Sequence, residues 1–211
     1  MMRETIALAA SHGVAAGAHP SFPDVEGFGR RELHFSPRDV EDFVTYQVGA
    51  LAAIAAAQGV RLQHIKPHGA LFNMAATDAA LADAVARAAA VIDRMLILFG
   101  LPGSQLLAAG RRLGLRTAAE GFADRAYNPD GPLVSRQLGG AVIDDPAIVV
   151  RRAIRMVSEQ AVEAVDGSLV PLTIDTLCIH GDTPGSALLA SRIRAALSEA
   201  GIEVRPAGAE P

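Results

Sequence analysis

Residues 36–66, SPRDVEDFVTYQVGALAAIAAAQGVRLQHIK, combine a helix pattern and a strand pattern in one continuous stretch. Ser36 is a favourable N-cap, and Pro37 suits the first position of a helix. Large apolar residues then recur at helical spacing until Gly59, which suits a helix C-terminus. The short segment 61–66 that follows is interpreted as a strand. A helix followed within a few residues by a strand is the repeating unit of an α/β fold.

The same alternation of strands and helices extends through the rest of the chain. Short apolar runs predict strands at residues 14–19, 61–66, 95–100, 115–121 and 176–181. Helical patterns occupy residues 36–59, 77–92, 104–114, 145–164 and 183–201, and a last strand is expected at 202–205. Strands separated by helices pair in parallel through right-handed crossovers. We therefore predict a single α/β domain over residues 1–205 and a flexible tail at 206–211.

The composition excludes several classes of protein. Half of the 211 residues are apolar, which is enough for a sizeable core, and the net charge of −4 has the wrong sign for a broad nucleic-acid surface. The single Cys178 excludes an internal disulfide and indicates a reducing compartment. No run approaches the roughly 18 apolar residues that span a bilayer. We therefore expect a cytoplasmic protein that acts on a small molecule and binds neither nucleic acid nor a membrane.

Ionisable side chains are concentrated where the predicted strands run into the following loops. In parallel α/β folds, ligands bind at this edge of the sheet. The strands at 14–19, 61–66, 115–121 and 176–181 all end in such residues, and we predict that they line one shared site. The candidates are His19, Asp24, Arg30, Lys66, His68, Asn73, Glu120, Asp124, Arg125, His180 and Asp182.

These residue types suit two kinds of chemistry. Histidines and carboxylates can hold a divalent metal that activates water, and the candidate ligands are His19, His68 and His180, whose spacing matches no tight metal motif. Alternatively, a histidine and a carboxylate act as acid and base on an amide, while Lys66 stabilises oxyanion charge. The sequence contains neither a phosphate-binding loop of the Gly-Lys-Ser/Thr type nor a dinucleotide pattern, so we expect any ATP to be bound by another chain.

Several of these residues also have a purely structural interpretation. His64 precedes the strand end, where packing or hydrogen bonding within the fold is favoured over a role in chemistry. Asp182 stands just before a predicted helix and could be only a capping residue. The Arg30–Arg31 pair could anchor its own loop through salt bridges, and Glu120 and Asp124 could pair with Arg30 or Arg125. The sequence alone leaves these alternatives open.

Five segments resemble, in this order along the chain, the LamB/YcsF family. They are GAHPSFPDVEGFGRR (17–31), HIKPHGALFN (64–73), FADRAYNPDGPLVSR (122–136), GAVI (140–143) and HGDTPG (180–185). The resemblance covers nearly all of residues 1–205, and the ordered set makes it specific. It implies a distorted, TIM-like β/α barrel related to the glycoside hydrolase and deacetylase barrels.

The resemblance also implies an activity and a set of pocket residues. The implied reaction is the ATP-dependent hydrolytic opening of the lactam 5-oxoproline to L-glutamate, carried out together with 5-oxoprolinase subunits B and C. By position, all the candidates named above except Arg30 are implied to line the pocket. Members of the family usually begin with a further segment that carries two strands, so the resemblance implies that the first strands of the barrel are missing from this chain.

The chemistry of a lactam suggests roles for individual residues. The predicted catalytic residues are Lys66, His68, His180 and Asp182, and the remaining candidates are predicted to bind substrate. An unreactive amide needs activation by ATP, which the partner subunits would supply. His68 or Asp182 would then act as base towards water, Lys66 would stabilise the oxyanion or phosphate, and Arg30 or Arg125 would hold the substrate carboxylate.

Two other functions are compatible with the same residues. The first is a stand-alone, metal-dependent deacetylase or amidohydrolase acting on a sugar or a small amide, which would need stoichiometric metal and no ATP. The second is a non-catalytic subunit that binds a ligand and presents it to a partner enzyme. Binding that survives replacement of His68 and Asp182, without turnover in any mixture, would distinguish this last function.

Overall fold

A computed structural model of the chain describes residues 1–136 and 138–208. The chain divides into two compact units, Met1–Ala118 and Ala119–Pro211. Each unit contains strands, helices and its own set of candidate residues. The single domain predicted over residues 1–205 stays a prediction, as does the flexible tail at 206–211, of which residues 209–211 lie outside the described part of the chain.

The first unit contains three short parallel strands and five helices. The elements are α1 (Met2–Ser11), β1 (Gly17–Ala18), α2 (Pro37–Ala56), β2 (His64–Ile65), α3 (Gly69–Thr77), α4 (Ala79–Ile92), β3 (Ile97–Gly100) and α5 (Gln105–Arg112). β2 pairs with both β1 and β3, with Ile65 opposite Ala18 on one side and Leu98 on the other. This register brings the carboxyl ends of β1 and β2 side by side.

The core of the first unit lies between these strands and the helices that follow them. Val40, Val44 and Val48 form the apolar stripe of α2 and are fully buried together with Ile65. The amino end of α2 is capped as predicted, because the Ser36 hydroxyl accepts a hydrogen bond of 3.2 Å from the Asp39 amide. The many alanines of α4 are buried, which permits the close helix packing that the Ala-rich composition indicates.

In its described part, the second unit contains the remaining strands and two helices. β4 (Thr117–Phe122) begins in the first unit, and α6 (Pro146–Ser158), β5 (Ala161–Glu163), β6 (Leu169–Pro171), β7 (Thr176–Cys178) and α7 (Ser186–Glu199) follow. β4 and β7 pair in parallel, and β5 and β6 form an antiparallel ribbon. The parallel register aligns the exits of β4 and β7, so the segments 122–127 and 179–183 leave neighbouring strands in the same direction.

The parallel α/β class is confirmed, and all five strands predicted from apolar runs before residue 200 are present in shortened form. The predicted strand at 202–205 is wrong, because these residues form no ladder. The helix predicted over 145–164 ends at Ser158, since Gln160 has a positive φ of 49° and the chain then enters β5. Helix α3 lies where the sequence pattern predicts only a strand and its loop, so its first residues, from Gly69, are an unexpected helix start.

Helix α3 starts at a glycine that closely approaches another loop. Gly69 has φ +60°, and a Cβ there would lie 2.4 Å from the Gly29 carbonyl oxygen.

Gly59 has φ +70° but nothing within 4 Å of the Cβ position, which makes it a matched control for Gly69. Gly59→Ala should cost about 1–2 kcal/mol from the left-handed backbone alone, and Gly69→Ala a further 1–3 kcal/mol or so from overpacking. Urea unfolding of both variants checks this, and equal losses would contradict the close approach.

Candidate functional site

The first group of candidate residues lies where β1 and β2 end. The His19 Nδ1 lies 2.7 Å from the Lys66 carbonyl oxygen, and its Nε2 lies 2.9 Å from the Nδ1 of His68. The Nε2 of His68 in turn lies 2.7 Å from the Phe28 carbonyl oxygen. The register of β1 against β2 brings the two histidines together, as the sequence predicts for adjacent strand ends.

The loop after β1 is organised around Asp24, whose side chain is fully buried. Its carboxylate accepts hydrogen bonds from the Arg31 guanidinium and from the Gly27 amide. The hydrogen bonds from Arg31 hold the pKa of Asp24 below its usual value, against the opposing effect of desolvation. Arg31 therefore anchors the loop through a salt bridge, which is the structural role considered for the Arg30–Arg31 pair. Asp24 is a loop-organising residue in this structure, and its predicted contact with substrate stays a prediction.

The other candidates of the first unit differ in exposure. Lys66 is half-buried, with its Nζ 5.9 Å from the centre of the Phe72 ring. The Arg30 guanidinium lies 5.2 Å above the Phe28 ring, which favours a cation–π contact. Asn73 is exposed on α3. Their predicted roles in substrate binding or catalysis are not tested by these positions and stay predictions.

His64 has the packing role that its place inside the strand predicts. Its ring stacks on Phe99 with centroids 4.4 Å apart, and its Nδ1 lies 3.1 Å from the Oε1 of Gln63. The ring also lies directly against Gly17, where a Cβ would come within 2.1 Å of the Nε2. Burial, with a smaller contribution from the charge of Lys66, lowers the pKa of His64 to about 4. His64 is therefore a neutral core histidine at neutral pH.

The second group of candidates contains a histidine–carboxylate pair at the exits of β4 and β7. The Nδ1 of His180 lies 2.7 Å from the Oδ2 of Asp124. Asp124 is buried and His180 is largely buried, with side-chain exposures of 6% and 18%. The other oxygen of Asp124, Oδ1, is buried with no hydrogen-bond partner among the described residues. A buried carboxylate that bonds Nδ1 fixes the imidazole orientation and leaves Nε2 as the nitrogen for chemistry.

The remaining candidates of the second unit have distinct environments. Arg125 is buried, and its guanidinium donates to the carbonyl oxygens of Ala141 and Val134 at 3.1 and 2.6 Å. These bonds fix the loop after β4, and the predicted role of Arg125 as a substrate clamp stays a prediction. Glu120 is buried on β4, whereas Asp182 is exposed before α7, which begins only at Ser186.

Two residues that sequence analysis did not single out also position the exit of β4. Tyr127 is fully buried, and its hydroxyl accepts a 2.9 Å hydrogen bond from the Phe122 amide. Burial raises the pKa of Tyr127, so its hydroxyl stays protonated. Arg152 on α6 donates to the carbonyl oxygens of Ala123 and Arg125 at 3.1 and 2.9 Å. Both residues hold the segment that presents Asp124, and the sequence carries no motif that distinguishes them from ordinary core and helix residues.

A cavity of about 120 Å³ adjoins this pair within the second unit. Its wall includes Asp124, Thr183 and Arg192 among mainly apolar residues of the 142–146 segment and α7. Small-molecule sites have a similar mixture of apolar and polar walls but are usually larger, roughly 300–1,000 Å³.

The metal candidates gain no support from the described residues, and metal binding stays a prediction. Each ring nitrogen of His19 and His68 lies within hydrogen-bond distance of a carbonyl oxygen or of the other ring. Among the residues that the structure describes, no group of three or more His, Cys, Asp or Glu side chains could hold a metal ion. No step of the chemistry below is therefore assigned to a metal.

Comparison with known proteins decides the family. The sequence pattern of the LamB/YcsF family matches residues 1–210 of this chain. The chain belongs to the LamB/YcsF family. This confirms the resemblance drawn from the five ordered segments.

Curated relatives in this family share about half of their residues with the chain. The A subunit of 5-oxoprolinase from Tolumonas auensis is 52% identical over 205 residues, which are 97% of this chain and 82% of the relative. The A subunit of 5-oxoprolinase from Methylococcus capsulatus is 51% identical over 208 residues, covering 99% of this chain and 80% of the relative. The chain thus matches these relatives over most of their length.

A solved structure supports the same relationship at the level of the fold. The crystal structure of the lactam utilization protein from Thermus thermophilus is 48% identical in sequence and has a TM-score of 0.89, covering 97% of this chain and 81% of that one. The fold class predicted from the alternation of strands and helices is therefore confirmed by a solved relative. Within the described residues, no helix has both the length and the apolar composition needed to cross a membrane.

Proposed function

We propose that this chain is the A subunit of a 5-oxoprolinase, which opens the lactam ring of 5-oxoproline by hydrolysis to give L-glutamate. The observation that carries the proposal is the identity of about half of all residues, over nearly the whole chain, with proteins named as the A subunit of 5-oxoprolinase. The similar solved structure is of a lactam utilization protein, which points to the same class of substrate.

Lactam hydrolysis needs a group that moves protons at the carbonyl carbon and the ring nitrogen. Water adds to the carbonyl carbon as it loses a proton, and the C–N bond breaks as the nitrogen gains one. The Nε2 of His180 is proposed to take the proton from water and return it to the leaving amine, with Asp124 fixing the ring through its 2.7 Å bond to Nδ1. The exposed fraction of His180 permits access of substrate and water.

ATP and the partner subunits B and C complete the proposal. An amide carbonyl is a poor electrophile, so we propose that the partner subunits transfer the terminal phosphoryl group of ATP to the carbonyl oxygen of the lactam. Water then adds to the carbonyl carbon, the C–N bond breaks to leave an acyl phosphate, and a second water releases phosphate and L-glutamate. The names of the relatives describe them as subunits, which implies an assembly. The absence of a phosphate-loop pattern in the sequence favours ATP binding by the partners. A cytoplasmic location, which the single Cys178 favours, stays a prediction.

The proposed roles of the first unit are electrostatic. Lys66 is proposed to stabilise negative charge on the activated lactam, and Arg30 to hold the carboxylate of the substrate. The half-buried position of Lys66 and the position of Arg30 above the Phe28 ring keep both cations near the ends of β1 and β2.

The decisive experiment measures glutamate released from 5-oxoproline. The chain is mixed with purified subunits B and C of the Tolumonas auensis enzyme and ATP, with the A subunit of that organism as positive control. We expect glutamate only when all components and ATP are present. Activity without ATP and without partners would favour a stand-alone amidohydrolase. No turnover in any mixture, with the chain folded and the control active, would favour a subunit that only binds a ligand.

A further inference from the structure

Phe28, in the loop after β1, has a backbone conformation that is unfavourable for a bulky residue. Its φ is +53°, in a region that residues with large side chains rarely adopt. Phe28 is also 60% exposed, so its ring gains little from burial in the core of the unit. Neither feature helps the chain to fold. Strain of this kind persists where the surrounding structure imposes it, and it is frequent at functional sites.

The loop around Phe28 is tight enough to impose this conformation. The Gly29 amide donates to the Asp24 carbonyl at 2.9 Å, and the Ala70 amide donates to the Gly29 carbonyl at 2.9 Å. A Cβ on Gly29, whose φ is +67°, would lie 2.7 Å from the Cβ of Ser21. The backbone is therefore fixed immediately after Phe28, which determines where its ring can lie.

The ring of Phe28 lies beneath the guanidinium of Arg30. The central carbon of the guanidinium is 5.2 Å from the ring centre, within the range of a cation–π interaction. The Arg30 amide donates to the Gly27 carbonyl at 3.0 Å, so the backbone of this arginine belongs to the same tight loop. The side chain of the neighbouring Arg31 instead donates to Asp24. The two arginines thus have different supports, an aromatic ring for Arg30 and a carboxylate for Arg31.

We propose that Phe28 is a positioning residue, which orients the Arg30 guanidinium to receive the carboxylate of 5-oxoproline. The inference rests on the proposed function, in which Arg30 holds that carboxylate. A long, flexible side chain loses rotamer freedom when it binds an anion, and a ring that already orders the guanidinium lowers this cost. A guanidinium donates from its edge, so stacking of its face on a ring uses none of the donors that a carboxylate needs.

This arrangement makes Phe28 a determinant of substrate specificity and not of the chemical step. In the proposed reaction its ring touches neither the carbonyl carbon nor the nitrogen of the lactam, and it acts only through Arg30. A lactam without a carboxylate gains nothing from an ordered guanidinium. Loss of the ring therefore weakens the binding of 5-oxoproline and leaves the rate of ring opening in the bound complex unchanged.

Kinetics of Phe28 variants in the complete mixture with ATP and partner subunits test this role. Phe28→Leu removes the aromatic face and should raise the KM for 5-oxoproline by about three- to tenfold, with little change in kcat. Phe28→Tyr keeps the face and should retain the wild-type KM. Tyr46→Leu removes an exposed aromatic ring from α2 and should leave both constants unchanged. A fall in kcat at unchanged KM in Phe28→Leu would contradict a positioning role.

A double-mutant cycle shows whether Phe28 acts through Arg30. Arg30→Gln should raise KM more than Phe28→Leu, because it removes the cation itself. The double variant should be no worse than Arg30→Gln alone, since the ring then has no guanidinium to orient. Additive effects would show that the ring acts by another route. Size-exclusion chromatography should show that Phe28→Leu still assembles with the partner subunits, and loss of assembly would make the ring a subunit contact and overturn the inference.

Two NMR measurements on the full chain alone separate this inference from the proposed function. In titrations, Phe28→Leu should weaken the binding of 5-oxoproline and leave that of 2-pyrrolidinone, the same ring without a carboxylate, unchanged. The side chain of Arg30 should show a ring-current shift that Phe28→Tyr keeps and Phe28→Leu loses. If these results hold while the mixture releases no glutamate, the proposed reaction fails and the positioning role stands. Equal losses for both lactams, an absence of 5-oxoproline binding, or an Arg30 signal independent of the ring would overturn the positioning role.

Discussion

His180→Gln should reduce glutamate release from 5-oxoproline by about 10²–10⁴-fold in the complete mixture with ATP and partner subunits. The Gln side chain can still donate a hydrogen bond, but it cannot take a proton from water or return one to the lactam nitrogen. The loss should appear in kcat more than in KM, because a proton transfer is made only in the transition state. Initial rates of glutamate release over a range of 5-oxoproline concentrations measure both constants.

Asp124 supplies the second half of this argument. Asp124→Asn preserves the size of a buried side chain, yet its amide can donate to the Nδ1 of His180 and stabilise the wrong tautomer. We expect a loss of similar size, and a double variant that loses no more than either single one, because the two residues act as a unit. Additive losses would contradict a coupled pair.

Two controls separate loss of chemistry from loss of structure. His12→Gln removes an exposed histidine from the first unit and should retain wild-type rates. Circular dichroism and urea unfolding of each variant should show a folded chain, since Gln occupies nearly the volume of the largely buried imidazole. Wild-type turnover by folded His180→Gln would remove His180 from the mechanism.

The parts of the fold that the sequence predicts are those in which local pattern and tertiary packing agree. α2 combines an N-cap at Ser36 with an apolar stripe, and both features appear in the structure. The segment 161–171 shows the opposite case. Its strands β5 and β6 form because Gln160 turns the chain through a positive φ, and no propensity rule identifies a glutamine for that position.

The sequence predicts where the candidate residues lie, at the ends of strands, but it does not predict which of them bond to each other. Strand ends identified His19, His68, Asp124 and His180 as polar residues near a site, and parallel register brings the first two together. Which carboxylate would bond to His180 depends on the fixed shape of the loop after β4. That shape depends on Arg152, which is remote in sequence from the motif it supports.

Acid should destabilise the native chain through His64 before its carboxylates titrate. The native pKa is about 4, against 6.5 for an ordinary histidine, because burial and the charge of Lys66 disfavour the protonated ring. Below about pH 6.5, His64 therefore becomes protonated in the unfolded chain while it stays neutral in the native chain. The contribution of His64 to the free energy of unfolding is fully present above that pH and is lost as pH falls towards 4. The total is roughly 3 kcal/mol, of which about 2 kcal/mol disappears between pH 7 and 5.

Urea unfolding at pH 7, 6 and 5 measures this loss in a window above the range where most carboxylates take up protons. His64→Gln cannot titrate, so its free energy of unfolding should fall by about 2 kcal/mol less than that of the wild type between pH 7 and 5, whatever its absolute stability. His34→Gln, at an exposed position, should keep the wild-type slope. Parallel slopes for the wild type and His64→Gln would mean that the ring takes up its proton over the same pH range in the native and unfolded chains. The stack on Phe99 and the contact with Gly17 would then have to accommodate a charged imidazole. Partial burial against an aromatic ring disfavours charge on the imidazole, which is why we expect the slopes to differ.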